Sequence, residues 1–215
     1  MPDRRNRAGF ITRNLQLLPV PGLPEIVLYT AQSRSGLSRL DGPAPYWAYV
    51  WAGGAALARH VLDSGVARGR RVLDFGAGSG VVGIAAAMAG AARVCAVDPD
   101  PWAQAAVVLN AAANAVQVGL EAGEPDLVLC GDVFYDPAAA ARVEPVLDGF
   151  RARGIRVLVG DPGRADLPLA RLFLLAEYQV HDMGDGPGKT ARTGIYDYRP
   201  TPTTDGHRDV RQSDA

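Results

Sequence analysis

Short apolar segments rich in β-branched residues alternate with helical patterns through the middle of the chain. The predicted strands cover residues 70–75, 92–97, 115–120, 126–131 and 155–160, and the predicted helices cover residues 81–89, 101–114 and 138–153. Regular alternation of strand and helix is typical of βαβ units, whose parallel strands share one sheet. The pattern therefore predicts an α/β protein with a Rossmann-like, mostly parallel sheet and helices on both faces.

The two ends of the chain follow other patterns. Residues 47–64 predict a helix that covers the sheet ahead of its first central strand, and residues 25–30 predict a strand in a region with proline and glycine. Near the C-terminus, residues 176–183 and 192–198 flank a glycine-rich turn, which predicts an antiparallel hairpin. With this hairpin, the predicted sheet has seven strands.

Composition and charge limit the class of protein. The chain has 215 residues, of which 48% are hydrophobic and 21% charged, and this balance suits one globular domain. The formal net charge of −1 gives no overall field that would recruit nucleic acid or an anionic membrane. Cys95 and Cys130 lie apart in apolar runs, so we expect no disulfide, no metal site and a reducing, cytoplasmic location. The basic start lacks the apolar core of a secretory signal.

A glycine loop, residues 76–80, follows the first central strand and contains Gly76, Gly78 and Gly80. Glycines at this point let the backbone turn sharply and let a ligand approach the main chain. Asp98 ends the next strand, where a carboxylate can accept hydrogen bonds from ribose hydroxyls. The loop also fits a dinucleotide motif, so the spacing alone leaves both NAD and S-adenosylmethionine open.

The charge of Asp74 favours S-adenosylmethionine over NAD. Asp74 stands directly before the glycine loop, where its carboxylate would repel the pyrophosphate of NAD and attract the ammonium of a methionine moiety. The predicted helix ahead of the first strand also suits a methyltransferase better than a dinucleotide-binding domain.

Polar and aromatic residues follow the buried strand 126–131, in the order Asp132, Val133, Phe134, Tyr135 and Asp136. Ligands of doubly wound sheets lie beyond the carboxyl ends of the strands near the topological switch point. We therefore expect the side chains of Asp132 and Tyr135 beside the transferred methyl group. The proline pair typical of adenine methyltransferases is missing from this stretch, which disfavours a nucleic-acid substrate.

Two tryptophans lie in the predicted helix 47–64. Trp47 and Trp51 are four residues apart and would share one helical face. Trp51 precedes a pair of glycines, which favours its close approach to the methionine end of the cofactor. Packing between helix and sheet is the alternative role for both rings.

These segments resemble the seven-β-strand protein methyltransferases, in particular the electron-transfer-flavoprotein β-subunit lysine methyltransferase family. The matching stretches are residues 45–63, 71–101, 126–136 and 156–164. The pairing of Gly-Asp-Val-Phe-Tyr-Asp at 131–136 with Gly-Asp-Pro-Gly-Arg at 160–164 is more specific than the glycine loop. The resemblance implies an S-adenosylmethionine site at Trp51, Asp74, Gly76, Gly78 and Asp98.

The resemblance also implies a substrate. The substrate would be a protein lysine, handled around Asp132, Tyr135 and Asp136, and the electron-transfer flavoprotein β subunit would be the partner. We expect residues 45–199 to form the methyltransferase domain, residues 1–44 an N-terminal extension with substrate-recognition elements, and the polar residues 200–215 a disordered tail. The segment between Asn114 and Asp126 is shorter than we expect of the family. Because this segment usually supplies a contact to the adenine ring in the family, we predict no adenine-binding residue.

Three other functions remain compatible with the sequence. A small-molecule N-methyltransferase, of the kind that modifies nicotinamide, would use the same cofactor site. An NAD(P)-dependent oxidoreductase would use the glycine loop and Asp98 for a dinucleotide. A non-catalytic module would bind the cofactor without transferring a methyl group.

Overall fold

The computed structural model describes residues 6–40, 44–121, 123–182 and 189–199. The helices are α1 (Arg7–Asn14), α2 (Ala52–Ser64), α3 (Val81–Met88), α4 (Pro101–Ala113) and α5 (Pro137–Ala152). The strands are β1 (Gln16–Val20), β2 (Leu23–Thr30), β3 (Arg71–Phe75), β4 (Arg93–Val97), β5 (Leu127–Gly131), β6 (Arg156–Asp161), β7 (Leu172–His181) and β8 (Thr190–Tyr198). No helix in these described parts is long and apolar enough to cross a membrane.

The main sheet has the strand order β4-β3-β5-β6-β8-β7. Strands β4, β3, β5 and β6 are parallel, and β8 and β7 add an antiparallel hairpin at one edge. The predicted α/β fold and C-terminal hairpin are confirmed, while the predicted turn at residues 184–188 and tail at 200–215 lie outside the described residues.

The sheet has six strands rather than the predicted seven. The predicted strand 115–120 contributes only an isolated parallel bridge between Gly119 and Cys95. Two hydrogen bonds hold it, from Ala96 N–H to Gly119 O at 2.8 Å and from Gly119 N–H to Val94 O at 2.9 Å. The segment between α4 and β5 is so short that one residue reaches the edge of β4 before the chain turns toward β5.

The central strand β5 shows how the core is built. Leu127 and Leu129 belong to the apolar cluster formed with α2 and α3, whereas Val128 and Cys130 belong to the cluster formed with α5. All four side chains are fully buried, because successive residues of a strand point to opposite faces and both faces carry helices.

The N-terminal segment forms α1 and an antiparallel hairpin of β1 and β2. The predicted strand 25–30 is therefore confirmed within a longer β2, whereas α1 was not predicted. Asn6 caps α1 by accepting the Gly9 N–H at 2.7 Å. Phe10 in α1 packs edge-on against Trp102 in α4, with ring centroids 5.4 Å apart.

The predicted helix 47–64 begins later, at Ala52. Residues Tyr46–Ala48 form a separate 3-10 turn, and Trp51 is extended at the N-cap of α2. Trp47 and Trp51 therefore do not share a helical face, and Trp47 instead stacks on Trp102 at 5.7 Å. The helix starts where the chain reaches the sheet, because Gly53 lets its first turn approach Gly160 of β6 and Gly131 of β5 lets the backbone of Gly54 come close.

Candidate active site

The glycine loop connects β3 to α3 through three left-handed glycines. The φ angles are 73° at Gly76, 51° at Gly78 and 83° at Gly80, a region that other residues enter only at a cost. The N–H groups of Gly76 and Ala77 donate to Val97 O at 2.9 and 3.2 Å. The backbone of Gly76 is exposed, and that of Gly78 is half-buried, so part of this turn is accessible to a ligand.

Asp98 joins the end of β4 to the glycine loop. One carboxylate oxygen accepts the Gly78 N–H at 2.9 Å, and the other accepts the Asp100 N–H at 2.8 Å. Burial raises the pKa of Asp98, and these two N–H groups oppose the rise. Each oxygen keeps a further lone pair. The position and chemistry of Asp98 therefore fit a ribose diol.

Asp74 lies beneath the glycine loop rather than in it. Its side chain is buried, with the residue only 1% exposed, and one oxygen accepts the Gly83 N–H in α3 at 2.8 Å. Burial raises the pKa of Asp74 to about 7, and the nearby charge of Asp98 adds to the rise. The Gly83 N–H thus holds one oxygen of this carboxylate toward the start of α3, and the contact of Asp74 with a cofactor ammonium stays a prediction.

Asp132 follows β5 with a φ of 57°, an uncommon angle for a residue other than glycine. Its Oδ2 accepts a hydrogen bond from the Gly54 N–H in the first turn of α2 at 2.7 Å, and its Oδ1 accepts one from Nη1 of Arg164 at 2.5 Å. The side chain is 10% exposed. Burial raises the pKa of Asp132 to about 6, while Arg164 and the Gly54 N–H oppose the rise. Residues held in such uncommon backbone conformations are often found at functional sites.

A second carboxylate, Asp161 at the end of β6, lies beside the same guanidinium. Its Oδ1 accepts the N–H groups of Gly163 and Arg164 at 2.7 and 2.8 Å. Its Oδ2 is buried without a hydrogen-bond partner among the described residues and lies 3.9 Å from Nη1 of Arg164. Two carboxylates therefore share one guanidinium. When both are ionised, this Asp132–Arg164–Asp161 cluster carries one net negative charge.

Four aromatic residues form a surface beside this cluster. Tyr46 lies 5.4 Å from Trp51 and 5.8 Å from Tyr135, and Tyr49 lies 6.4 Å from Trp51, measured between ring centroids. The Arg164 guanidinium lies 5.9 Å from the Trp51 ring centroid. Tyr46 and Tyr135 are 53% and 50% exposed. We call these four residues the aromatic surface.

Asp136 has a structural role in the fold. It is the N-cap of α5, and its carboxylate accepts the Ala139 N–H at 2.6 Å. Ser, Thr, Asp and Asn are the residues preferred at this position. Its predicted contact with the substrate stays a prediction.

The two halves of the predicted site meet in the fold. An ideal Cβ on Gly76 would lie 2.9 Å from Val133 Cγ1, so the glycine loop contacts the segment after β5. Sequence reasoning placed Asp132, Trp51 and Tyr135 here but missed Arg164, Asp161 and the two further tyrosines. The segment 160–164 gave a signal, because an acidic residue follows a second strand at the same edge of the sheet. No group of three or more His, Cys, Asp or Glu in the described residues could hold a metal ion.

A glycine turn after the first central strand, with a carboxylate at the end of the next and a helix ahead of both, is the arrangement expected of an S-adenosylmethionine-dependent methyltransferase. The residues of this site fit the cofactor, since the accessible backbone of the glycine loop lies beside the Asp98 carboxylate. The family model described as ribosomal protein L11 methyltransferase (PrmA) matches residues 55–133.

Curated relatives identify the family more closely. The electron transfer flavoprotein beta subunit lysine methyltransferase of Rattus norvegicus is 39% identical over 173 residues, which is 73% of this chain and 68% of the rat protein. The Xenopus laevis protein of the same name is 37% identical over 194 residues, covering 81% of this chain and 79% of its own. The chain belongs to the electron transfer flavoprotein β subunit lysine methyltransferase family, and it is an S-adenosylmethionine-dependent enzyme. The resemblance found in the sequence is thereby confirmed.

A solved structure supports the fold. A proposed RNA methyltransferase from Pyrococcus horikoshii superposes with a TM-score of 0.53 at 18% identity, covering 77% of this chain and 96% of that one. At this identity, the likeness concerns the fold alone. The relatives, and not this likeness, favour a methyltransferase over the dinucleotide-dependent alternative.

Proposed function

We propose that this protein transfers a methyl group from S-adenosylmethionine to a lysine side chain of a protein, with the electron transfer flavoprotein β subunit as its target. The observation that carries the proposal is the negative Asp132–Arg164–Asp161 cluster beside an exposed aromatic surface. A cationic amine balances the charge of the cluster, and aromatic faces attract ammonium groups. The names of the relatives supply the protein partner.

The cofactor would lie along the edge formed by the ends of β3 and β4. Gly76, Gly78 and Gly80 would line its path, Asp98 would accept the ribose hydroxyls, and Trp51 would cover the methionine end. Asp74 would act from below by fixing the start of α3. When bound, the cofactor supplies an electrophilic methyl group on a positive sulfonium.

The amine must lose its proton before it can attack. A free lysine has a pKa of about 10.4, so about one in 10³ is neutral near pH 7.4, a deficit of roughly 4 kcal/mol. The negative cluster and the aromatic faces attract the ammonium and so would raise the lysine pKa, whereas desolvation of the ammonium and repulsion by the cofactor's sulfonium would lower it and favour the neutral amine. With its proton lost to solvent water, the neutral amine would be oriented by Asp132 and Tyr135 toward the methyl group; the new N–C bond would form as the S–C bond breaks, which would leave S-adenosylhomocysteine.

The exposure of the aromatic surface favours a protein over a small molecule. Tyr46 and Tyr135 are about half exposed, so a side chain that projects from another protein can reach them. A small-molecule enzyme usually buries most of its substrate in a concave pocket. The N-terminal segment would contribute to recognition of the protein, and the cytoplasmic location remains a prediction.

The test supplies radiolabelled S-adenosylmethionine with purified electron transfer flavoprotein and, separately, with protein and small-molecule fractions of a lysate. We expect label on lysine of the β subunit, assigned by mass spectrometry. Asp132→Asn should abolish transfer while S-adenosylhomocysteine still binds, and Glu177→Gln, an exposed change on β7, serves as the matched control. Label confined to the small-molecule fraction would overturn the lysine assignment.

A further inference from the structure

A buried amide in α4 joins two distant parts of the chain. The side chain of Asn110 is fully buried. Its Oδ1 accepts the Tyr29 N–H of β2 at 2.8 Å, and its Nδ2 donates to Ser79 O in the glycine loop at 2.8 Å. Both ends of the amide are therefore committed to backbone groups, one in the N-terminal hairpin and one in the predicted cofactor site.

A second amide one turn later provides a natural comparison. Asn114 accepts the Val27 N–H at 2.9 Å and donates to Val27 O at 2.6 Å and to Asn110 O at 2.8 Å. None of these three hydrogen bonds reaches the glycine loop. The two amides thus satisfy the edge of β2 that faces away from β1, but only Asn110 extends the connection to the loop.

The contact with Ser79 matters because of where it falls in the loop. Ser79 lies between two left-handed glycines, Gly78 and Gly80, whose backbones have more accessible conformations than those of other residues. Ser79 itself is buried. A hydrogen bond to its carbonyl fixes the peptide plane that follows and restricts the loop to one of these conformations.

We propose that Asn110 is a positioning residue that couples the N-terminal hairpin to the glycine loop, so that the docked hairpin helps to set the affinity for S-adenosylmethionine. The inference rests on the proposed role of the glycine loop as the cofactor site. Coupling between two sites is reciprocal, so cofactor binding also stabilises the hairpin on α4. A protein substrate that engages the hairpin would then change cofactor affinity.

Two parallel substitutions separate this coupling from a general effect on packing. Asn110→Asp keeps an acceptor for the Tyr29 N–H but loses the donor to Ser79 O and places a carboxylate oxygen against that carbonyl. Asn114→Asp removes a donor from the same helix without touching the loop. Loss of one buried hydrogen bond changes an equilibrium by about an order of magnitude. We expect Asn110→Asp to weaken S-adenosylhomocysteine binding about tenfold in calorimetry, and Asn114→Asp to change it by less than about threefold.

Hydrogen exchange supplies a readout that a purely structural role would not affect. In the wild-type protein, saturating S-adenosylhomocysteine should slow exchange of the Tyr29 amide by a larger factor than that of the Gln179 amide in the edge strand β7, which serves as the reference for global stabilisation by the ligand. In Asn110→Asp, this ligand-dependent protection should disappear even at saturation, whereas Asn114→Asp should keep it. If Asn110→Asp does not fold, the wild-type measurement alone decides whether the hairpin is coupled to the cofactor site.

The outcomes are distinguishable from failure of the proposed function. Unchanged affinity in Asn110→Asp, or no ligand-dependent protection of Tyr29 in the wild type, overturns the coupling. Gly78→Ala strains a left-handed position in the loop itself, where φ is 51°. If Gly78→Ala binds S-adenosylhomocysteine as tightly as the wild type does, the loop assignment fails as well. If Gly78→Ala loses binding while Asn110→Asp keeps it, only the coupling fails.

Discussion

Replacement of Gly53 by alanine tests the contact that brings α2 onto the sheet at the candidate site. Alanine normally stabilises a helix interior relative to glycine by about 1 kcal/mol, and this is the upper bound for Gly53, which lies in the first turn of α2. In this helix, however, an ideal Cβ on Gly53 would lie 2.2 Å from Gly160 O and 2.7 Å from the Asp132 carboxylate. Gly149, in α5, offers the same substitution without obstruction, since no described atom lies within 4 Å of its ideal Cβ.

The loss of stability expected for Gly53→Ala follows from this overlap between the new methyl group and Gly160 O. A carbon normally stays about 3.3 Å from a carbonyl oxygen, so α2 or β6 must move by about 1 Å to accept the methyl group. Overpacking of this kind costs about 1–3 kcal/mol, and here the obstruction is backbone rather than a flexible side chain, so the cost belongs at the upper end. After the gain in helix propensity, we expect Gly53→Ala to destabilise the protein by about 2 kcal/mol. For a chain of this length, that lowers the Tm by about 4–8 °C.

Thermal unfolding of the two variants is the assay. Gly149→Ala should raise the Tm by about 1–4 °C, because nothing offsets the gain of about 0.5–1 kcal/mol. Gly53→Ala should lower the Tm and also reduce methyl transfer at least about tenfold, since the shift of α2 displaces the Gly54 N–H from Asp132. If both alanines raise the Tm, the close approach of α2 to β6 does not constrain the fold, and the role given to Gly53 is wrong.

Three further predictions concern charge and capping. Arg164→Gln removes the cation beside Asp132, so the pKa of this carboxyl should rise above about 6 and the acid limb of kcat/KM should move to higher pH; an unshifted profile would refute the link. Asp136→Ala should cost about 1 kcal/mol by exposing the Ala139 N–H, whereas Asp136→Asn should keep the cap, and lost transfer in this second variant at wild-type Tm would support a substrate role. Burial raises the pKa of Asp74 to about 7, so the folded state holds a proton that the unfolded chain releases near pH 4, and stability falls as pH rises between these values. Urea unfolding at several pH values should show a shallower decline of stability with pH for Asp74→Asn. An unchanged slope would show that Asp74 does not cause the decline.

The strands and helices of the central sheet could be predicted because their signals are local. A run of apolar residues that ends in Asp98 or Asp132 marks a strand and its carboxyl end without any knowledge of the neighbours. The start of α2 could not be found in this way. Residues 47–51 are helix-compatible in composition, and only their tertiary contacts, such as the stacking of Trp47 on Trp102, show that the chain turns before the helix begins.

The candidate site was predicted in part for the same reason. Asp132 and Tyr135 follow a recognisable strand, so topology alone brings them to the ligand edge of the sheet. The pairing of Asp132 with Arg164 spans 32 residues, and its geometry depends on how the segment after β6 turns back. The burial of Asp74 was also beyond the sequence, because its partner is a backbone N–H, which every residue of a helix start except proline can offer.

The first turn of α2 connects stability and chemistry in this protein. Gly53 lets the helix approach β6, and the approach delivers the Gly54 N–H to Asp132 with the positive end of the helix dipole behind it. The same approach leaves Asp132 nearly without water, which raises its pKa and makes each remaining partner more important. A side chain at Gly53 would separate the helix from the sheet and the carboxylate from its donor in one step, whereas an ideal Cβ on Gly54 would lie at ordinary contact distance, 3.4 Å from Val81 Cγ1. The packing of α2 and the charge state of Asp132 therefore cannot vary independently, and substitutions that change one are expected to change the other.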